Sequence, residues 1–258
     1  MNRINLCSFD SYKCTRFLRY FIELSYLGKN YHGWQIQPDA ISVQEEINNA
    51  ISTVLQETIS VVGAGRTDTG VHATQMFAHF DTEKMLTAQM VYKFNSVLPE
   101  DIVINNLEQV SDDKHARFDA ITRSYEYKIW LGRNPFQLEN SWQFYYQKLD
   151  VKQMNLAAST LLEYENFQAF SKVRTEVKTF NCYVTEAVWK QNGNELIFHI
   201  TANRFLRNMV RAIVGTLIDV GKHKISVDQF REIILSKDRS KAGLSVPAKG
   251  LYLTEITY

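Results

Sequence analysis

Residues 63–72 read Gly63-Ala64-Gly65-Arg66-Thr67-Asp68-Thr69-Gly70-Val71-His72, three glycines bracketing one arginine and one aspartate. Apolar Ile59, Val61 and Val62 precede this stretch, and Met76, Phe77 and Phe80 follow it. The pattern predicts a buried strand, a tight glycine loop and a second strand. Glycine tolerates positive φ and close backbone approach, so a polar loop here is presented by its flanks. If residues 66–68 are extended, positions i and i+2 project to the same side, and the Arg66 guanidinium points with the Asp68 carboxylate. A carboxylate beside a fixed cation stays ionised, which suits a nucleophile better than a general acid. Spacing alone leaves two readings open: a structural turn with a surface ion pair, or a site. It excludes the dinucleotide and P-loop patterns, since the loop is not G-x-G-x-x-G and no Gly-Lys-Ser/Thr follows. Asp68-x-x-x-His72 offers two metal ligands, but no third stands at a convincing interval.

The flanking chain alternates strands and helices. Residues 19–26 alternate as a first strand and run into a loop holding Tyr31, Trp34 and two glycines. Ser42-Val-Gln-Glu45 is a capping box, with Val43, Ile47, Ile51, Val54 and Leu55 at helical spacing behind it. A strand ending near Asp81, a helix over 87–95 and a strand over 101–107 complete the first half. The order strand, helix, strand, strand, helix, strand predicts a split β-α-β (ferredoxin-like) unit with helices on one face of a mostly antiparallel sheet. The second half offers a strand over 122–131, a helix from Asp150, a hairpin across Asn192-Gly193, helices over 203–221 and from Ser226, and a last strand over 250–258. The expected architecture is α+β: two such halves, 19–112 and 113–258, sharing one sheet with a central cleft. Residues 1–18 are read as a variable extension without the apolar stretch of a secretory signal.

Composition narrows the function classes. The chain has 258 residues, 45% hydrophobic and 22% charged, as in ordinary globular proteins. No apolar run approaches the ~18 residues that span a bilayer, so no membrane partner is expected. Cys7, Cys14 and Cys182 form neither a C-x-x-C pair nor an even disulfide set, which fits free thiols in a reducing cytoplasm. A net charge of +1 makes nucleic-acid binding depend on how the 29 basic residues are distributed.

Two further stretches carry chemistry. The helix expected over 203–221 is apolar around most of its circumference, yet Arg204, Arg207 and Arg211 fall at i, i+3 and i+7. Unpaired charge does not stay buried, so this stripe must meet carboxylate, phosphate or water. Arg204 and Arg207 fit a solvated edge equally well. Arg211, flanked by Val210, Ala212 and Ile213, fits a buried partner, and Asp68 is the natural candidate. On the strand over 122–131, Arg123, Tyr125, Tyr127 and Ile129 share one face; a tyrosine alternating with arginine suits a stacked base with phosphate nearby, though strand aromatics also serve as core. Lys222, His223, Lys224, Lys237, Arg239, Lys241 and Lys249 would form a phosphate footprint if they share a rim.

Ala64-Gly-Arg-Thr-Asp-Thr-Gly-Val-His72 closely resembles the active-site signature of the tRNA pseudouridine synthase A family. The resemblance runs from about Arg19 onward. It includes Tyr31-x-Gly-Trp-Gln35, Ser42-Val-Gln44, Asn95-x-x-Leu-Pro99, His115-Ala-Arg-Phe118 and Arg123-x-Tyr-x-Tyr127. Asn203-x-Phe205, Met209-Val-Arg-x-Ile-Val-Gly215 and Gly250-Leu-Tyr-Leu253 continue it. It implies the pseudouridine synthase fold and isomerisation of uridine at positions 38, 39 and 40 of the tRNA anticodon stem-loop. It also implies a homodimer in which one tRNA touches both subunits, and no cofactor and no metal. By the same resemblance Asp68 is the catalytic aspartate, Arg66 the arginine that draws the target nucleotide out of the stack, Tyr125 the tyrosine packed on the base and Arg211 the basic partner of Asp68. Arg123, Arg204 and Arg207 are expected to contact substrate. Thr69 stands where the family often has alanine. Two other readings of the residues remain, a non-catalytic RNA-binding module and a metal-dependent hydrolase.

Overall fold

The structure is a computed structural model that describes residues 17–145, 147–172 and 177–258. The extension expected over 1–18 lies almost wholly outside these residues, as do Cys7 and Cys14. Cys182 is a buried free thiol, pushed up to about 11 by desolvation.

The first half follows the expected order: β1 (Leu18–Tyr26), α1 (Val43–Leu55), β2 (Val62–Gly63), β3 (His72–Thr82), α2 (Met90–Asn95) and β4 (Ile102–Val110). Ser42 caps α1 by accepting the Glu45 N–H. The strand expected before the glycine loop shrinks to two residues, although Ile59 and Val61 are buried. Side chains of α1 replace the missing ladder: the Ile59 N–H donates to Ser52 Oγ, the Val61 N–H to Asn48 Oδ1, and Gln44 Nε2 donates to the Val61 carbonyl. With its polar backbone satisfied this way, the segment needs no strand partner.

The second half comprises β5 (Thr122–Leu131), β6 (Trp142–Phe144), α3 (Val151–Ser159), β7 (Val184–Asn192), β8 (Glu195–Ala202), α4 (Met209–Gly221), α5 (Val227–Ser236) and β9 (Leu251–Thr257). Short β6, which runs parallel to β5, had no sequence signal. The hairpin turn is Gly193-Asn194, one position later than expected, because Asn192 and Glu195 still pair and Gly193 takes φ +57°.

Among the described residues nine strands form one sheet, in the order β4-β1-β3-β9-β5-β8-β7 with β2 beside β3 and β6 beside β5. All neighbours are antiparallel except β3–β9 and β5–β6. The C-terminal strand β9 joins the halves, pairing with β3 on one side and β5 on the other. Two apolar cores result, one under α1 and α2, the other under α3, α4 and α5. Leu251 belongs to one core and Leu253 to the other; two residues apart on a strand, they share a face, so the helices of both halves cover the same side of the sheet. Tyr125 packs against both cores and marks their seam.

Two histidines brace this frame in their neutral form. His72 Nδ1 accepts the Gly28 N–H at 2.9 Å, and its Nε2 lies 3.2 Å from the Lys249 carbonyl. His79 Nδ1 accepts the Ala116 N–H at 3.2 Å. Burial lowers both, and His79 falls to about 4, helped by the charges of Arg19 and His115. In the unfolded chain these groups take protons near the ordinary 6.5. Their contribution is therefore complete above that value and is lost as pH falls from there toward 4. The urea midpoint is expected to be level between pH 7 and 8 and to drop progressively below 6.5; a midpoint unchanged at pH 5 would contradict it.

Candidate active site

The glycine loop is held from below by the segment after β1. Gly33, at φ +96°, lies so close beneath that a Cβ there would sit 2.4 Å from the Thr67 carbonyl oxygen. The Trp34 N–H donates to that same oxygen, and the Tyr31 carbonyl accepts the Gly70 N–H. Thr67 is buried, its hydroxyl 2.8 Å from the Tyr26 hydroxyl, while Arg66 is exposed and Asp68 half-buried. Alternation through 66–68 thus turns Arg66 and Asp68 outward together, as expected. They do not pair: among the described residues Arg66 makes no ion pair. His72 cannot join Asp68 in a metal site, because both its ring nitrogens are engaged by main-chain groups.

Asp68 opens onto a cleft of about 530 Å³ whose other walls come from the second half: Lys172, Arg207, Asn208, Arg211 and Arg239. Four cations thus face one carboxylate. The ion-pair partner of Asp68 is Arg207, whose Nε lies 3.5 Å from Oδ1. This corrects the expected Asp68–Arg211 pair. Arg211 lines the same cleft, but its Nε donates to the Val246 carbonyl at 2.7 Å.

The reason lies in where α4 begins. The helix expected from Asn203 starts at Met209, since Asn208 takes a left-handed φ of +66°. Asn203 is occupied elsewhere: its Oδ1 accepts the Tyr183 N–H, and its own N–H donates to the Tyr183 carbonyl. The Arg207 carbonyl accepts the Lys172 N–H. Arg204 and Arg207 therefore stand on a tethered loop, and the three arginines do not form a helical stripe. The loop swings Arg207 over Asp68 and brings Asn208 and Arg211, at the start of α4, to the cleft wall.

Tyr125 sits at the seam with its ring edge-on to Phe205, centroids 5.0 Å apart. Burial pushes its hydroxyl up to about 12, and the negative charge of Asp68 adds to the shift. Arg123 has a different part from the expected phosphate contact. Its Nη1 donates to the Ala120 and Asn203 carbonyls and its Nη2 to those of Ala64 and Arg117, tying the base of the Asp68 loop to the second half. The late basic residues do not form one rim. Arg239 reaches the cleft, but Lys249 bonds the Leu138 carbonyl, Lys222 lies over Phe144, His223 pairs with Asp150 and Lys224 with Asp219. Lys172 escaped notice in the sequence, where a lone lysine carries no signal. A second hollow, of about 470 Å³, includes three carboxylates, Glu126, Glu186 and Glu255, and by charge is a poor seat for a polyanion.

A half-buried carboxylate in a cationic cleft, beside a seam tyrosine on an α+β sheet, defines an enzyme site built for a polyanionic substrate. The chain belongs to the tRNA pseudouridine synthase family, whose model matches residues 24–119 and 157–258. More particularly, it is similar to proteins named tRNA pseudouridine synthase A. That of Bacteroides thetaiotaomicron is 50% identical over 93% of this chain and 90% of its own length. That of Porphyromonas gingivalis is 50% identical over 93% and 97%. That of Clostridium acetobutylicum is 39% identical over 92% and 98%. No described helix is long and apolar enough to cross a membrane.

Proposed function

We propose that this protein isomerises uridine to pseudouridine at positions 38, 39 and 40 in the anticodon stem-loop of tRNA, with Asp68 as the catalytic carboxylate. The observation that carries the reading is the placement of Asp68, half-buried and ringed by Lys172, Arg207, Arg211 and Arg239. Family membership supplies the reaction. The bond from C1′ to uracil N1 breaks, the base turns, and C5 bonds to C1′; the C5 proton leaves and N1 takes one. Nothing is gained or lost overall, so the chemistry demands no redox cofactor, nucleotide or metal. Asp68 acts on the ribose, as nucleophile at C1′ or as base toward the C2′ proton; both roles need a carboxylate held in place, and Arg207 Nε lies 3.5 Å from its Oδ1. Tyr125 provides the wall on which the detached base rests, and Arg66, exposed beside Asp68, helps offset the few kcal/mol of flipping the nucleotide. Arg211, Arg207 and Arg204 hold backbone phosphate, and Arg123 holds the loop. A homodimer in the cytoplasm, with one tRNA touching both subunits, belongs to the same reading.

Release of tritium from tRNA labelled at uridine C5 tests it, because the label leaves only when the new bond forms. Release is expected with no added cofactor, and a protein that binds tRNA without releasing label would be the non-catalytic module instead. The arginines allow a separate check. The Arg207 side chain is 59% exposed, so Arg207→Ala is expected to shift stability by no more than about 1 kcal/mol. It should still weaken tRNA binding and make the slope of log Kd against log salt shallower by about 0.7, one phosphate contact. An unchanged slope would remove Arg207 from the substrate surface.

A further inference from the structure

Beside the loop that carries Asp68 stands an aromatic left outside the core. Phe118 is 75% exposed, at the tip of a turn that is otherwise tightly made. The His115 N–H donates to Asp119 Oδ2 at 2.8 Å, and the Asp119 N–H returns to the His115 carbonyl at 3.1 Å. His115 Nδ1 accepts two backbone donors, the N–H groups of Arg117 at 3.1 Å and Phe118 at 3.3 Å. The imidazole is thereby locked, and the Phe118 ring lies against it with centroids 4.2 Å apart and planes 32° from parallel. His79 backs His115 at 4.6 Å, and His79 is itself buried in the sheet. A Phe on a mobile surface turn needs no explanation. One held against His115, with His79 edge-on behind it, and still 75% exposed is a braced apolar platform.

Its place and its charge say what it faces. A single nitrogen, Nη2 of Arg123, donates both to the Arg117 carbonyl at 2.8 Å and to the Ala64 carbonyl at 3.2 Å. The turn therefore abuts the loop that carries Arg66 and Asp68. The Arg117 guanidinium lies 5.9 Å from the Phe118 ring. Arg117, Arg66 and Arg204 have no ion-pair partner among the described residues, and Arg117 and Arg204 both bear on Arg123 electrostatically. An exposed ring beside the unpaired Arg117 matches a base with its phosphate, since stacking accepts any base and guanidinium takes the backbone.

We propose that Phe118, braced by His115 and His79 and flanked by Arg117, stacks an unpaired nucleotide of the RNA beside the flipped target. The assignment rests on RNA being the substrate. It makes the platform a holder for the strand that flipping has opened, where the unstacked neighbour would otherwise close back on the gap.

Phe118→Ala, Phe118→Leu, Phe118→Trp and Arg117→Ala test it, with KM and kcat for tRNA from tritium release and Kd from direct binding. Phe118→Ala and Phe118→Leu are expected to raise KM and Kd about tenfold, the loss falling on binding rather than on kcat. Phe118→Trp should restore wild-type values, and melting temperatures should match wild type because the ring is exposed. Arg117→Ala should reduce the salt slope of binding by about 0.7, a change that Phe118→Ala does not make. Wild-type KM and Kd in Phe118→Ala would overturn the proposal, as would rescue by leucine equal to that by tryptophan, which would mean apolar contact without stacking. If wild-type protein releases no tritium, the reaction has been misread; Kd of Phe118→Ala against wild type still decides the platform.

Discussion

Asp68→Asn is expected to lower tritium release by on the order of 10³-fold or more, while Kd for tRNA stays within about threefold. Asparagine keeps the shape of the side chain and removes only its charge and basicity, so a mechanism that needs a carboxylate at the ribose stops. Stability should hardly move. The Asp68 side chain is 28% exposed and its partner Arg207 59%, and a pair so open to water contributes at most about 1 kcal/mol. Asp68→Glu sharpens the test, since it keeps the charge but displaces it by one methylene; a misplacement of about 1 Å costs roughly 10²-fold when geometry is the source of rate. The order wild type, glutamate, asparagine is the signature of a positioned carboxylate. Near wild-type turnover by the asparagine variant would show that another group does the chemistry.

The second large effect is expected from a residue that touches no substrate. Gly33→Ala should destabilise the protein by about 2–4 kcal/mol, from strain at positive φ and from overpacking. The added Cβ meets backbone rather than a side chain that can rotate: it would lie 2.4 Å from the Thr67 oxygen, 3.2 Å from the Asp68 carbonyl carbon and 3.3 Å from the Thr69 nitrogen. Relief requires the loop to rise, and Asp68 rises with it, so kcat should fall roughly 10–100-fold in the protein that remains folded. Gly65→Ala is the control in the same loop. A Cβ there has nothing within 4 Å, and Gly65 does not take the left-handed φ of Gly33. Similar outcomes for the two variants would show that Gly33 is not the support of the site.

Legibility differed from element to element for physical reasons. Helix α1 was readable because a capping serine and apolar residues at helical spacing act within a few residues of each other, and the Ser42–Glu45 bond is present. The last strand and the alternation of β5 were readable on the same grounds. The start of α4 was not. Asn203 looks like a cap, but its side chain is claimed by Tyr183, twenty residues away, and the helix waits until Met209. The strand before the loop was misjudged for a related reason, since Ser52 and Asn48 of α1 took the hydrogen bonds that a strand would have needed.

The sequence by itself determined the α+β class, the family and the loop that presents Asp68, because these rest on short-range spacing and on motifs in a specific order. It also singled out Tyr125 and the arginines as the groups to watch. Which cation meets Asp68 was decided by the tertiary structure alone. Arg66 is two residues away and does not pair; Arg211 was favoured for its apolar flanks, Val210, Ala212 and Ile213, and bonds Val246 instead; Arg207 pairs because a left-handed Asn208 and a tether at Lys172 swing its loop over the cleft. Spacing along one element says which side chains share a face. Which charge lies across a cleft depends on how two halves of a sheet are joined, and here β9, the last strand in the chain, makes that join.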